Sequence, residues 1–290
     1  MTTLLQDLKY GLRMLRKSPG FTLIAIAILA IGIGASTAVF GLLDAILLKP
    51  LPYDHPERIA MLWRQAPPTV NVGYPEIPWS RVEFQTLQAS NRSFEHVAAF
   101  QGDSFALTGR GQPALLDGMR ATAEFFSALG MSPALGRTYT DAEDKPGTGH
   151  VVVLSDKFWR ERFNADPRVL GATIHLNSEP YTVIGVMPAG FSFPRAEEMP
   201  ASFNFPREVQ FWVPMALISG PRTPAETSDL LAVVGRLKPG ATLAQAQDDL
   251  NSNARAMERL YGAPAKNWFD VHPVPLSAQV AGGTRRPLLL

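Results

Sequence analysis

The chain has 290 residues and no cysteine, which excludes a disulfide framework, a thiolate nucleophile and any cysteine-based zinc site. With 27 basic against 26 acidic residues the formal charge is +1, so there is no electrostatic basis for nucleic-acid binding. The charge is unevenly placed: residues 1–49 hold five Lys or Arg and two Asp, leaving 22 basic and 24 acidic residues for the remainder.

The first predicted element is basic. Leu4, Leu8, Leu12 and Leu15 recur at helical spacing, Lys9, Arg13 and Arg16 lie off that stripe, and Ser18-Pro19-Gly20 breaks the pattern. Residues 1–20 therefore read as an amphipathic helix on the cytoplasmic membrane surface, with Lys9, Arg13, Arg16 and Lys17 facing lipid headgroups. An uncharged run follows, Phe21 to Leu43, whose 23 residues span roughly 34 Å as a helix against a hydrocarbon core of about 30 Å. We assign residues 21–48 to a transmembrane helix. The basic flank stays in the cytoplasm, which places the rest of the chain outside the inner membrane. A cleaved signal peptide is the rival reading, with small residues from Gly34 to Ala38 as its cleavage site. The apolar run continues past them through Val39–Leu43, beyond the usual length of about 7–15 residues for a signal core.

Within the span, small residues recur at four-residue steps: Gly32 with Ser36, Gly34 with Ala38, then Gly41 after Thr37. Such steps let a second helix approach closely, so Gly32, Gly34, Ser36, Ala38 and Gly41 are the candidate helix–helix interface.

Beyond Pro50 the pattern is mixed α+β. Arg58–Trp63 reads as a strand, Ser80–Gln88 as a helix capped by Ser80, and Phe94–Phe100 and Ser104–Thr108 as two short strands. Ala121–Gly130 reads as a short helix ended by glycine, Val151–Leu154 as a strand, and Ser155 as the cap of a helix through Phe163. Thr173–Leu176 and Tyr181–Val186 flank a hairpin turn. Leu231–Leu237, a helix capped by Thr242 with Leu243, Ala246, Leu250, Ala254, Met257 and Leu260 on one face, and Phe269–Val274 form a split βαβ unit. Residues 53–100 offer material for a second.

The chemistry is thin. His55, His96, His150, His175 and His272 stand in no HExxH or HxH spacing, and there is no GxSxG elbow or phosphate loop. A dispersed hydrolase triad leaves no readable spacing either. Asp141, Glu143 and Asp144 form the densest acidic cluster, read as capping of a helix by Thr140 and Asp141 rather than as a calcium site. Phe158, Trp159, Phe191, Phe193, Phe211 and Trp212 read as core packing, with the lining of a ligand cleft as the alternative. No catalytic, cofactor-binding or metal-binding residue is assigned.

An ordered set of motifs carries a family resemblance. It starts at Leu5-Gln6-Asp7-Leu8-Lys9-Tyr10 and Arg16-Lys17-Ser18-Pro19-Gly20-Phe21-Thr22, then Gly32–Phe40 and Leu47-Leu48-Lys49-Pro50-Leu51-Pro52-Tyr53. It continues in Phe125–Gly130, Pro133–Arg137, Val153-Leu154-Ser155-Asp156, Val183–Pro188 and Gly235–Gly240. The chain resembles the permease of MacB/FtsX-type ABC transporters. The resemblance implies one N-terminal membrane helix, then an extracytoplasmic porter-like βαβ core (49–280) carrying an inserted lobe at roughly 110–205. The porter part would be drawn from 53–100 and 231–280. It further implies a separate cytoplasmic ATPase that binds ATP, a homodimer or paired permease, and a role in efflux or envelope export. Residues 281–290 stand where the family enters its second membrane helix and read as the start of a truncated segment. The alternative is a membrane-anchored binding or adaptor module without transport activity.

Overall fold

The computed structural model describes residues 13, 16, 17, 19–43, 51–67, 76–108, 113–200, 203–217, 230–261 and 270–280. The chain divides into two compact units, Met1–Pro50 and Leu51–Leu290.

The first unit contains helix α1, Pro19–Leu43. Its 25 residues carry no charge and rise through roughly 37 Å. Among its described residues, the large apolar side chains Phe21, Leu23, Ile24, Ile26, Ile28, Leu29, Ile31 and Ile33 are exposed. An exposed, uncharged helix of this length suits a lipid core rather than a protein core. The predicted helix before Arg13 lies outside the described residues.

The second unit is built on two arrangements of strands. Its first elements are β1 (Ile59–Gln65), β2 (Glu76–Ile77), α2 (Arg81–Ser90), β3 (Phe94–Thr108), β4 (Ala114–Ala121) and α3 (Phe125–Leu129). After them come β5 (Leu135–Gly136), β6 (Val151–Leu154), α4 (Asp156–Phe163), β7 (Thr173–Leu176) and β8 (Glu179–Val186). The last are β9 (Phe211–Pro214), β10 (Ala232–Leu237), α5 (Leu243–Tyr261) and β11 (Val271–Pro275).

The first arrangement is an open antiparallel sheet in the order β11-β1-β10-β3. β10 and β11 both run antiparallel to β1 between them, and β1 and β3 both run antiparallel to β10. Each of β1-α2-β3 and β10-α5-β11 is thus a split βαβ unit, the two interleaved as in ferredoxin-like folds. Alternation assigns the faces. Ala60, Leu62, Val97, Ala99, Leu231 and Val233 pack under α2 and α5 through Phe84, Leu87, Ala246 and Leu250. Ile59, Met61, Trp63, Ala98, Phe100, Ala232 and Val234 face the other way.

The second arrangement closes on itself. β3 pairs β4, β4 pairs β9, β9 pairs β6, β6 pairs β8, β8 pairs β7, and β7 returns to Leu107 and Thr108 of β3. This ring of six strands has its own core, including Phe105, Leu116, Val152, Leu154, Ile174, Leu176, Val183, Phe211 and Val213, with Phe158 and Phe163 from α4. Gly118 of β4 is required by it: a Cβ there would lie 2.6 Å from the Phe211 ring and 2.9 Å from that of Phe105. The opposite faces of β4, β6 and β9, through Met119, Ala121, Val153 and Trp212, meet the face of the open sheet turned away from α2 and α5 in one shared aromatic layer, which also takes in Phe125, Phe126 and Leu129 of α3.

Several sequence expectations change. The two short strands at 94–108 are one 15-residue strand, which passes from the open sheet into the ring. β4 and β9 have no counterpart in the sequence reading. The helix expected over Ala121–Gly130 begins only at Phe125, because Ala121 is still held in the ladder with Phe100. Residues 141–143 are a turn rather than a capped helix. There Thr140 donates its N–H and hydroxyl to Glu143, but Asp144 turns away to accept from Ala123 and Ala216.

Candidate functional site

The sequence-predicted residues of α1 separate by geometry. At 3.6 residues per turn, Gly34, Ala38 and Gly41 occupy one side of the helix, while Gly32 and Ser36 fall on the opposite side. The helix therefore offers two small-residue tracks rather than one. A Cβ at Gly32 or Gly34 would meet nothing within 4 Å. Ser36 is exposed, and Thr37 returns its hydroxyl to the Ile33 carbonyl at 2.8 Å, a bond that satisfies it inside an apolar medium. Arg13, Arg16 and Lys17 are helical and exposed; Lys9 lies outside the described residues.

In the second unit several titratable groups are held structurally. Arg137 grips Glu143 with two parallel bonds of 2.7 and 2.8 Å, which together with the Thr140 bonds hold that carboxyl down at about 2. Asp144 is half-buried. Burial pushes its carboxyl up against the lowering effect of N–H bonds from Ala216 and Ala123 at 2.7 and 2.9 Å. Arg236, buried on β10, donates to the Ser127 and Ala128 carbonyls at the end of α3 and to Asp54 O at 2.8 Å. Arg64 lies 2.8 Å from Glu83 and donates to Pro78 O at 2.7 Å; burial lowers its pKa. These bonds leave the carboxylates and guanidiniums engaged in holding loops and caps. Among the described residues no group of three His, Asp or Glu is placed to hold a metal ion. A cleft of about 180 Å³ beside Gln101, Gly102, Phe203, Asn204, Phe205 and Leu230 has no titratable side chain among the described residues of its lining.

The aromatic residues sit in cores. Phe158 and Phe211 fill the ring, and Phe191, Phe193 and Trp212 fill the shared layer. Three further residues, not singled out by periodicity, join that layer to the ends of the unit. Tyr53 meets Phe191 and Phe193 edge-on at 6.5 and 6.3 Å, and burial pushes its phenol pKa up. Trp63 donates its indole N–H to Gln279 Oε1 at 2.8 Å, and Gln279 donates to the Glu198 carbonyl at 2.5 Å. Tyr53 stands in a resemblance motif and Trp63 ends a predicted strand, but neither signal shows their partners; Gln279 lies in no motif, so only the fold reveals it.

Comparison with known proteins identifies the architecture. A family model described as the MacB-like periplasmic core domain matches residues 22–253. The extracellular domain of the noncanonic ABC-type transporter YknZ from Gram-positive bacteria superposes with a TM-score of 0.50 at 15% identity, covering 74% of this chain and 99% of that one. The periplasmic region of MacB from Actinobacillus actinomycetemcomitans superposes with a TM-score of 0.51 at 15% identity, covering 80% and 92%. No curated protein matches. With the family model spanning most of the chain, from within the apolar helix to within α5, the chain belongs to the MacB-like periplasmic core domain family of ABC-transporter permeases.

Proposed function

We propose that this chain is the anchor and outer domain of an ABC-type permease, coupling a separate cytoplasmic ATPase to efflux or envelope export. The observation that carries this reading is the single family match running through both the apolar helix and the outer fold. In this reading the N-terminus lies in the cytoplasm, Arg13, Arg16 and Lys17 sit at the inner-membrane surface near the ATPase, and ATP is bound by that partner alone. Two copies, or a paired permease, associate through α1. The outer unit then supplies shape and movement, consistent with side chains engaged in structure rather than chemistry.

Three measurements test it. The cysteine-free sequence permits single-cysteine labelling with a membrane-impermeant maleimide. Exposed Glu161→Cys should react in intact cells and Arg16→Cys only after permeabilisation; the reverse pattern overturns the orientation. In proteoliposomes containing the chain as encoded by its full gene, the partner ATPase should hydrolyse ATP several-fold faster than alone; an unchanged rate overturns coupling. For self-association, Gly34→Leu or Gly41→Leu should reduce dimer crosslinking in native membranes, because a leucine on that track keeps the helices apart. Undiminished dimer would remove α1 as the interface.

A further inference from the structure

Residues 188–200 follow β8 out of the ring and lie on the face of the open sheet turned away from α2 and α5. They place Phe191, Phe193 and Met199 in the aromatic layer that both strand arrangements share. Phe193 is fully buried against Phe100 at 5.6 Å and Phe125 at 6.2 Å, and Phe191 lies 5.1 Å from Trp212. The segment is folded on itself by Arg195, whose Nε donates to Ser192 Oγ at 3.0 Å and lies 3.7 Å from the Glu198 carboxylate.

Two side chains close on this segment from sequence positions 226 residues apart. Tyr53, ten residues beyond the last residue of α1, wedges its ring edge-on between Phe191 and Phe193. Gln279 lies in the helical stretch 276–280 that follows β11, anchored by fully buried Leu276. Its amide is engaged at both ends, accepting from Trp63 of β1 and donating to the Glu198 backbone. An amide satisfied in this way is held in one orientation, since a flip would break both bonds. The membrane-helix side of the chain and its far side thus grip the same thirteen-residue segment at two places, and that segment runs directly into β8.

We propose that residues 188–200 act as a strap, clasped by Tyr53 and Gln279, that carries displacement of either end of the outer unit to β8 and the ring. This use rests on the permease reading, in which movement of the membrane helix has to reach the outer domain. The close-packed layer around the strap favours such transfer, because packed interiors shift between discrete arrangements rather than yielding continuously.

Hydrogen exchange on the purified chain tests the strap with no ATPase present, so its failure leaves the permease reading standing, and a failed ATPase assay leaves the strap standing. Tyr53→Leu and Gln279→Leu should each accelerate exchange over 191–199 by about tenfold, the effect of losing a packing contact or a hydrogen bond or two. Helices α2 and α5 should keep wild-type rates. Tyr53→Phe, which retains the ring contacts, should leave the strap unchanged. If Gln279→Leu does not fold, Gln279→Glu keeps an acceptor for Trp63, loses the donor to Glu198, and should accelerate exchange over 196–199. Wild-type exchange over 191–199 in Tyr53→Leu and in the Gln279 variant, or equal acceleration in α2, α5 and the strap, would overturn the proposal.

Discussion

The open sheet and the ring bury strands by different means, and the difference shows what each contributes. In the open sheet, β1, β3 and β10 are buried on both faces, one by two helices and the other by the aromatic layer. Its outer edge remains a liability, and β11 carries Pro273 and Pro275 there, opposite Leu62 and Ala60. The Gln65 N–H bonds to Asp270 O in this register, so the two prolines fall at positions whose backbone nitrogen faces away from β1. A further strand would find no donor at either. The ring needs no such device, because six strands paired in a circle leave no edge. The open sheet is thus a platform covered from both sides, and the ring a closed body with a core of its own.

Both rest on one residue. Phe100 pairs with Ala232 of β10 on one side and Ala121 of β4 on the other, and its ring touches Phe125, Phe193 and Phe205. Phe100→Ala should break the comparison altogether. It removes a fully buried ring from the layer both arrangements share, at a cost of about 3–5 kcal/mol. Denaturant unfolding should show one transition moved to lower concentration. Two transitions, with only one moved, would mean that the ring and the open sheet stand independently.

Gly118→Ala sharpens the contrast from the ring side. The added methyl forces the Phe211 and Phe105 rings aside, and overpacking of this kind costs about 1–3 kcal/mol. Hydrogen exchange should accelerate in β4 and β9 while α5 keeps its protection. Uniform acceleration would indicate that the ring has no core of its own.

The two arrangements were unequally legible in the sequence. α5 is read from Thr242, whose hydroxyl does accept from the Gln245 N–H, and from the stripe Ala246, Leu250, Ala254 and Met257, all buried. The β7–β8 hairpin is read from Asn177-Ser178, both of which take the positive φ that a tight two-residue turn requires. Split βαβ units follow from such local signals. The ring does not, because its closure depends on β4–β9 and β6–β9 pairs formed between distant segments. β3 reads as two strands because Gln101-Gly102-Asp103-Ser104 has turn composition. In the fold Gly102 stays in the ladder opposite Met119, its missing side chain making room for the Asn204 carbonyl. The small residues of α1 were legible as a pattern, but only a continuous helix divides them into two tracks.

On the open-sheet side, Ser80→Ala gives a smaller and local effect. Ser80 accepts from the Glu83 N–H, and Glu83 in turn accepts the Ser80 N–H at 2.8 Å, a reciprocal box at the start of α2. Losing it should cost about 1 kcal/mol. Exchange should rise in the first turn of α2 alone, with β4 and β9 unaffected. Spread into the ring would deny the separation that the two cores imply.

The smallest effect separates two Arg–Glu pairs. Arg64 and Glu83 form theirs buried against the open sheet, with 9% and 12% of their side chains exposed; in Arg137–Glu143, in the loops between β5 and β6, Arg137 is 53% exposed. The Arg137 fork, with the two Thr140 bonds, lowers the Glu143 carboxyl from 4.5 to about 2, so the folded state binds this proton less readily than the unfolded one. Stability from this pair is therefore complete above about pH 4.5 and is lost as the pH falls toward 2. Because the guanidinium is half in solvent, its worth is the screened surface value, about 0.2–1 kcal/mol. Glu143→Gln should lower stability by that amount at pH 7 and converge on the wild type as the pH falls, and added salt should narrow the gap at neutral pH. A gap of the same size at both ends of that range would assign the loss to the Thr140 bonds and the turn rather than to the charge.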